Sequence, residues 1–184
     1  QPYLIRSWLA PERDAGAQEE AAALAYLAQI LGGSSFTSVL ARELTFEEDI
    51  ALFSGAGYDG VSLDDSTFSV TLAPAQGVSL AEAEAALDRV LADFLETGID
   101  AEQFERIRTQ LGAAEIYARD DTGGLARRYG AALTSGLTIE DVQAWPQILQ
   151  QVTPEDVMAA AQRLFDPDRS VTARIAATRE EVQS

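Results

Sequence analysis

Apolar positions along the chain follow two spacings, and the switches between them mark its elements. Tyr3 to Leu9 reads as a strand that Pro11 ends. Ala21, Leu24, Leu27, Ala28 and Leu31 recur at helical spacing within Ala17 to Leu31. Gly32-Gly33 is expected to stop that helix in a left-handed end. Ser34 or Ser35 should then cap a short helix from Ser35 to Leu44, with Phe36, Val39, Leu40 and Leu44 on its apolar side. Ile50 to Ser54 is apolar enough for a buried strand. Thr67 to Leu72 alternates, with Phe68, Val70 and Leu72 on one side and Thr67, Ser69 and Thr71 on the other, which predicts a half-buried strand. Gly57 to Ser66 joins the two strands as a hairpin.

The rest is mostly helical. Ser79-Leu80-Ala81-Glu82 is a capping box. It opens a helix with Leu80, Ala83, Leu87, Val90, Leu91, Phe94 and Leu95 in its stripe, ended by Gly98. Asp100 caps the next helix, with Phe104, Ile107, Leu111, Ala114 and Ala118 inward. Asp120 to Gly124 interrupts it, and a further helix runs from Leu125 to Leu133, stopping at Gly136. Thr138 caps a short helix that Pro146 limits. Thr153-Pro154-Glu155 opens another, with Val157, Ala160, Ala161 and Leu164 inward. Asp166-Pro167-Asp168 is a turn, and Val171, Ala173 and Ile175 alternate in a last strand. This order predicts an α+β fold, a mostly antiparallel sheet with helices packed on one face. With no internal repeat and no low-complexity linker, residues 1–184 read as a single domain.

Composition narrows the chemistry. The formal net charge is −17, and 47% of residues are apolar. Such acidity argues against nucleic acid or an anionic membrane as partner. It fits plain solubility, and it also fits attraction to cationic peptides. His, Cys, Lys and Asn are absent, so all 13 basic residues are Arg. No His/Cys zinc site, no Cys nucleophile and no Ser-His-Asp triad can be built from this chain alone. No apolar run reaches transmembrane length. The chain begins at Gln1 rather than Met and is read as a piece of a longer protein.

Four constellations could carry chemistry. Gly55-Ala56-Gly57-Tyr58-Asp59-Gly60 matches G-x-G-x-x-G, but a strand rather than a helix follows it, so it is read as a hairpin turn and not a dinucleotide cradle. Asp59, Asp64 and Asp65 lack the spacing of a calcium loop, and Asp120-Asp121 is read as a loop cap. Glu43, Glu47 and Glu48 could be imagined as an acid/base pair, yet no apolar pocket around them would raise a pKa. Arg127-Arg128-Tyr129 could grip a carboxylate or phosphate, but a helical Arg pair in an acidic chain is usually a structural ion-pair donor.

The ordered segments resemble the C-terminal domain of the pitrilysin/insulinase-type zinc peptidases, the inverzincins, whose relatives include the mitochondrial processing peptidase. The resemblance is carried by Ile30-Leu31-Gly32-Gly33-Ser34-Ser35, then Leu40-Ala41-Arg42-Glu43-Leu44 and Ile50-Ala51. Gly98-Ile99-Asp100-Ala101-Glu102-Gln103-Phe104 continues it. Val152-Thr153-Pro154-Glu155-Asp156-Val157 and Leu164 to Ser170 resemble the family's ending.

That resemblance implies a clamshell of repeated α+β domains, in which an N-terminal domain binds zinc through His-x-x-Glu-His and a downstream Glu. This chain lacks that motif and would correspond to a non-catalytic C-terminal domain. It would form a wall of the peptide chamber and contact the zinc-bearing domain, and a homologous partner subunit is a further implied contact. Zinc is implied for the parent protein, an expected zinc metalloendopeptidase, and no cofactor for this chain. In the family an Arg and a Tyr often orient the peptide carbonyl. In register their positions hold Thr45 and Leu52; Arg42 and Tyr58, sixteen residues apart, are the nearest candidates for substrate binding. No catalytic or metal-binding residue is expected here. A scaffold subunit on the same fold is the alternative. Bacterial relatives imply a periplasmic or cell-envelope location.

Overall fold

The chain forms a four-stranded antiparallel sheet backed by helices, and the computed structural model describes residues 1–176 of it. The last eight residues of the expected 1–184 domain lie outside the described residues. Strands β1 (Tyr3–Ala10), β2 (Ala51–Tyr58), β3 (Ser66–Pro74) and β4 (Ser170–Ile175) lie in the order β2-β3-β1-β4. Leu4 pairs with Leu72 and Trp8 with Phe68, so the alternating sets of β1 and β3 share one face. That face is buried: Leu4, Trp8, Phe68, Val70 and Leu72 are at most 3% exposed. The opposite face carries Ile5, Ser7, Leu9, Thr67, Ser69, Thr71, Val171 and Ala173, and no described helix covers it. An antiparallel sheet with one covered face is the expected α+β arrangement.

Helix α1 (Glu19–Gly32) is the centre of the molecule. Sequence spacing predicts one inward stripe, but Ala22, Ala23, Tyr26 and Ile30 are buried as well. The helix is enclosed because it lies between the sheet and a second helical layer. Tyr26 stacks on Phe104 of α3 (Ala101–Tyr117), with centroids 5.1 Å apart, and its hydroxyl donates to the Leu149 carbonyl of α5 (Ile139–Gln151). Helix α2 (Leu80–Thr97) packs Leu80, Ala83, Leu87 and Val90 inward. It starts at the expected capping box, where Ser79 Oγ accepts from Glu82 N. Helices α4 (Thr122–Thr134) and α6 (Pro154–Leu164) complete the set of six α-helices among the described residues.

Five expectations need correction. Gly33 has φ −72°, an ordinary helical value, so the Gly-Gly pair does not end α1 in the left-handed region. Glycine is needed at position 32 for contact: a methyl there would sit within 2.8 Å of Ala56 Cα and closer still to the Ala56 nitrogen. The Ser35 to Leu44 helix starts late, because Ser34 Oγ accepts from Phe36 N and Thr37 N in a turn. Ser38 Oγ then takes the Ala41 amide, and the segment Ala41–Glu47 is a π-helix with Leu40 and Leu44 buried and Phe36 75% exposed. Strand β2 runs on through Gly55 to Tyr58, paired with Thr71 to Phe68, so the hairpin turn is shorter than predicted. A register shift at Ala51/Phe53 turns Leu52 and Phe53 outward on this edge strand, against the expectation of a buried run. Finally, Pro146 does not limit α5, which continues to Gln151. Proline removes one ladder bond; the Thr138 capping box, buried Trp145 and Leu149, and the Tyr26 hydrogen bond hold the helix across it.

Candidate functional site

Arg42 lies on the π-helical segment and lines a recess of about 480 Å³ between that segment, the end of α2 and the start of α3. Val39, Phe94 and Ile99 provide apolar wall, and Glu43, Asp93 and Asp100 provide charge. Arg42 Nε donates to Glu43 at 3.0 Å, while Arg89 pairs with Glu48. The imagined carboxylate pair is therefore two separate ion pairs, and Glu47 faces solvent. Asp100 caps α3 by accepting from Gln103 N at 2.7 Å.

Tyr58 lies at the other end of β2. An eight-residue strand spans about 25 Å, and the π-helix precedes its first residue. Arg42 and Tyr58 are thus at opposite ends of one strand and are not brought together. The Tyr58 hydroxyl donates to the Pro11 carbonyl, and burial, reinforced by the charge of Glu12, raises its pKa above the ordinary phenol value. Thr45 is half-buried and Leu52 is 65% exposed.

Sequence reasoning missed Arg13. Nothing local in Pro11-Glu12-Arg13-Asp14 marks it out. Yet Arg13 is 5% exposed. Its guanidinium donates from Nε and Nη2 to Gln18 Oε1 at 2.8 and 2.6 Å and lies 3.9 Å above the Trp145 ring. Burial, with nearby Arg128 second, lowers its pKa to about 10. Arg13 N donates to Gly60 O, and Asp141 accepts from Gly16 N. This cluster joins the loop after β1 to the end of β2 and the start of α5. It is a structural joint closed around its own partners.

The remaining candidates hold local structure. Gly55 and Gly57 lie within β2, and a loop rather than a helix follows Gly60, so no helix N-terminus meets the glycines. Asp59 Oδ1 accepts from Val61 N, Asp64 Oδ1 from Asp65 N, and Asp121 caps α4 at Gly124 N. Arg128 pairs with Glu115 at 2.6 Å across α3 and α4, while Arg127 only approaches Asp121 at 3.7 Å. Among the described residues no three Asp or Glu side chains group as metal ligands.

Comparison with known proteins places this geometry. Residues 1–111 match the family model described as the peptidase M16 inactive domain. No curated protein matches the chain. Among solved structures, a protease from Helicobacter pylori superposes with a TM-score of 0.83 at 16% identity, over 94% of this chain and 40% of that one. The inactive peptidase domain of a candidate zinc protease from Bordetella parapertussis gives 0.84 at 16% identity, over 96% of this chain and 93% of that one. The periplasmic protease PqqL from Escherichia coli gives 0.71 at 15% identity, over 96% of this chain and 19% of that one. Identities this low carry the fold and nothing finer, and the chain spans about 40% of the length of the Helicobacter protease. The helix-backed antiparallel sheet and the match over its first 111 residues agree with the resemblance read from the motifs: the chain belongs to the peptidase M16 inactive-domain family.

Proposed function

We propose that this chain is the non-catalytic C-terminal domain of a zinc metallopeptidase and forms one wall of its peptide-binding chamber. The observation that carries the reading is the uncovered face of the sheet. Its own helices cover the opposite side, and the open side is lined by small or hydroxyl side chains such as Ser7, Ser69 and Thr71 beside apolar Ile5, Leu9 and Val171. Leu9 and Val171 are 66% and 73% exposed. A mixed surface of this kind, part hydroxyl and part apolar, offers both hydrogen bonds and apolar contact to a peptide of varied sequence. The wall reading also accounts for a chain without His or Cys in a zinc-peptidase family. Zinc belongs to the N-terminal domain, which this domain would contact, with or without a homologous partner subunit. Peptide is the substrate class. A periplasmic location is supported by the similarity to PqqL, itself described as a periplasmic protease. Of the two candidate substrate contacts, Arg42 opens onto a recess, whereas Tyr58 is committed to Pro11.

The test is photo-crosslinking in the parent protein with its zinc chelated, so that a peptide bearing a benzoylphenylalanine binds without turnover. Crosslinks on Ile5, Ser7, Leu9, Ser69 or Thr71 are expected. Crosslinks confined to the helical side would overturn the wall assignment.

A further inference from the structure

Gln103 turns one polar atom toward open space with no partner for it. The side chain is 5% exposed and lines the recess of about 480 Å³ between the π-helical segment, the end of α2 and the start of α3. Its Nε2 donates to the Ile30 carbonyl at 3.3 Å and to the Thr37 carbonyl at 3.1 Å. Two carbonyls on the nitrogen fix the orientation of the amide, so its oxygen is turned away from them. Oε1 accepts from no donor among the described residues. Nor is it sealed from solvent, as the unpartnered Trp8 Nε1, Ser54 Oγ and Arg108 Nε are. A glutamine held this way by the core offers the recess an acceptor in a fixed position.

The charge around that acceptor asks for a cation. Glu43, Glu48, Asp93 and Asp100 line the recess, against Arg42 alone of the basic residues. Arg42 is already bound to Glu43, and Glu48 to Arg89. The excess therefore rests on Asp93 and Asp100, which form no ion pair among the described residues. Asp100 uses Oδ1 to cap α3 at the Gln103 amide and keeps its second oxygen. The C-terminus of α2 borders the same space through Thr97 and Gly98, and its last turn contains no basic residue. A helix C-terminus carries a partial negative charge that a cation offsets. Val90 and Phe94 are buried, and with Ile99 they add apolar wall. Acceptors above an apolar wall match a cationic side chain with a long methylene stem.

We propose that this recess binds an arginine side chain of a peptide, its guanidinium donating to Gln103 Oε1 and the Asp100 carboxylate, its stem lying on Val90, Phe94 and Ile99. Arginine fits better than lysine because its planar fork carries five donors, enough to meet several separate acceptors at once. Helical segments build the recess, not the open face of the sheet, so this inference stands apart from the chamber-wall reading.

The test is a nitrogen-15 titration of the full chain with N-acetyl-arginine methylamide. The control is N-acetyl-citrulline methylamide, which has the same length but an uncharged urea head. Expected with the arginine probe is saturable movement of the Gln103 side-chain amide and of the Gly98 and Ile99 backbone amides. The citrulline probe should bind about tenfold or more weakly, since it forms no charge-assisted hydrogen bonds. Asp93→Asn combined with Asp100→Asn should weaken the arginine probe by a similar factor and leave thermal unfolding unchanged. Asp93 is exposed, and asparagine caps a helix as well as aspartate does. Equal movement with both probes overturns the proposal, and that comparison needs no variant to fold. So do movements scattered over the acidic surface away from the recess, or undiminished binding to the double variant.

Discussion

Helix α3 buries Phe104 and Ile107 in its first two turns and leaves Ile116 and Tyr117 64% and 75% exposed in its last. Both halves have apolar residues at helical spacing. The first half has somewhere to put them. Phe104 stacks on Tyr26 of the enclosed helix α1, and Gln103 reaches across to the carbonyls of Ile30 and Thr37. The second half leaves that layer and is tied to α4 by the Arg128–Glu115 pair, and in α4 only Ala132 is buried. Ala132 belongs to a small satellite cluster with Leu137 and Val142, and Tyr129 packs against it. The expected inward stripe therefore stops at Leu111, which still packs against the main core: Ala114 beyond it is exposed and Ala118 only half-buried. Periodicity states which side of a helix could be buried, whereas burial needs a second surface. The match to the family model also ends at residue 111, where α3 departs from the core.

This contrast can be broken at either end. The largest effect is expected from Phe104→Ala, which should cost about 3–5 kcal/mol in urea unfolding, as truncation of a fully buried aromatic does. Next comes Gly32→Ala, expected to cost about 1–3 kcal/mol, because the added methyl meets the Gly55 and Ala56 backbone rather than a side chain that can move aside. Retention of full stability by Gly32→Ala would refute the close-approach account.

Smaller effects should stay local. Arg128→Ala removes the partner of Glu115 in a half-buried pair, 25% and 17% exposed. After discounting for solvent screening it should cost about 1 kcal/mol. Amide exchange should quicken in α4 and at the end of α3 while the sheet is unchanged. Asp141 gives a pH handle on the same region. Hydrogen bonds from the Thr138 hydroxyl, then from the Thr138 and Gly16 amides, hold its carboxyl below the ordinary value of 3.8. A folded-state pKa below the unfolded one stabilises at neutral pH, and that contribution is lost as pH falls through the folded value. Asp141→Asn should therefore lower stability at pH 7 and flatten the loss of stability on acidification below the ordinary carboxyl value, checked by acid titration of unfolding. Tyr117→Ala should change stability by no more than about 0.5 kcal/mol.

The elements that were legible in the sequence are those whose local signal and tertiary surroundings agree. Strand β3 alternates and packs as its alternation states, and α2 begins where Ser79 and Glu82 can cap it. Three of the features that were not legible share one cause, a long-range contact with no local mark. Gly32 looks like a helix stop but makes room for Ala56. Pro146 looks like a helix end but lies inside a helix held from both sides. Arg13 carries no local signal but is held against Trp145, more than a hundred residues away. Of the site, the family was legible from motifs, and the lack of His and Cys from composition. The opposite placement of Arg42 and Tyr58 was not, because it depends on how far β2 extends.

The central proposal is that this chain supplies shape to a peptidase and leaves the metal chemistry to another domain. The most direct measurement is cleavage of an unstructured peptide in the presence of zinc, followed by mass spectrometry. The account predicts intact peptide with this chain alone and chelator-sensitive cleavage once the zinc-bearing domain is present. Chelator-sensitive cleavage by the purified chain alone would contradict it.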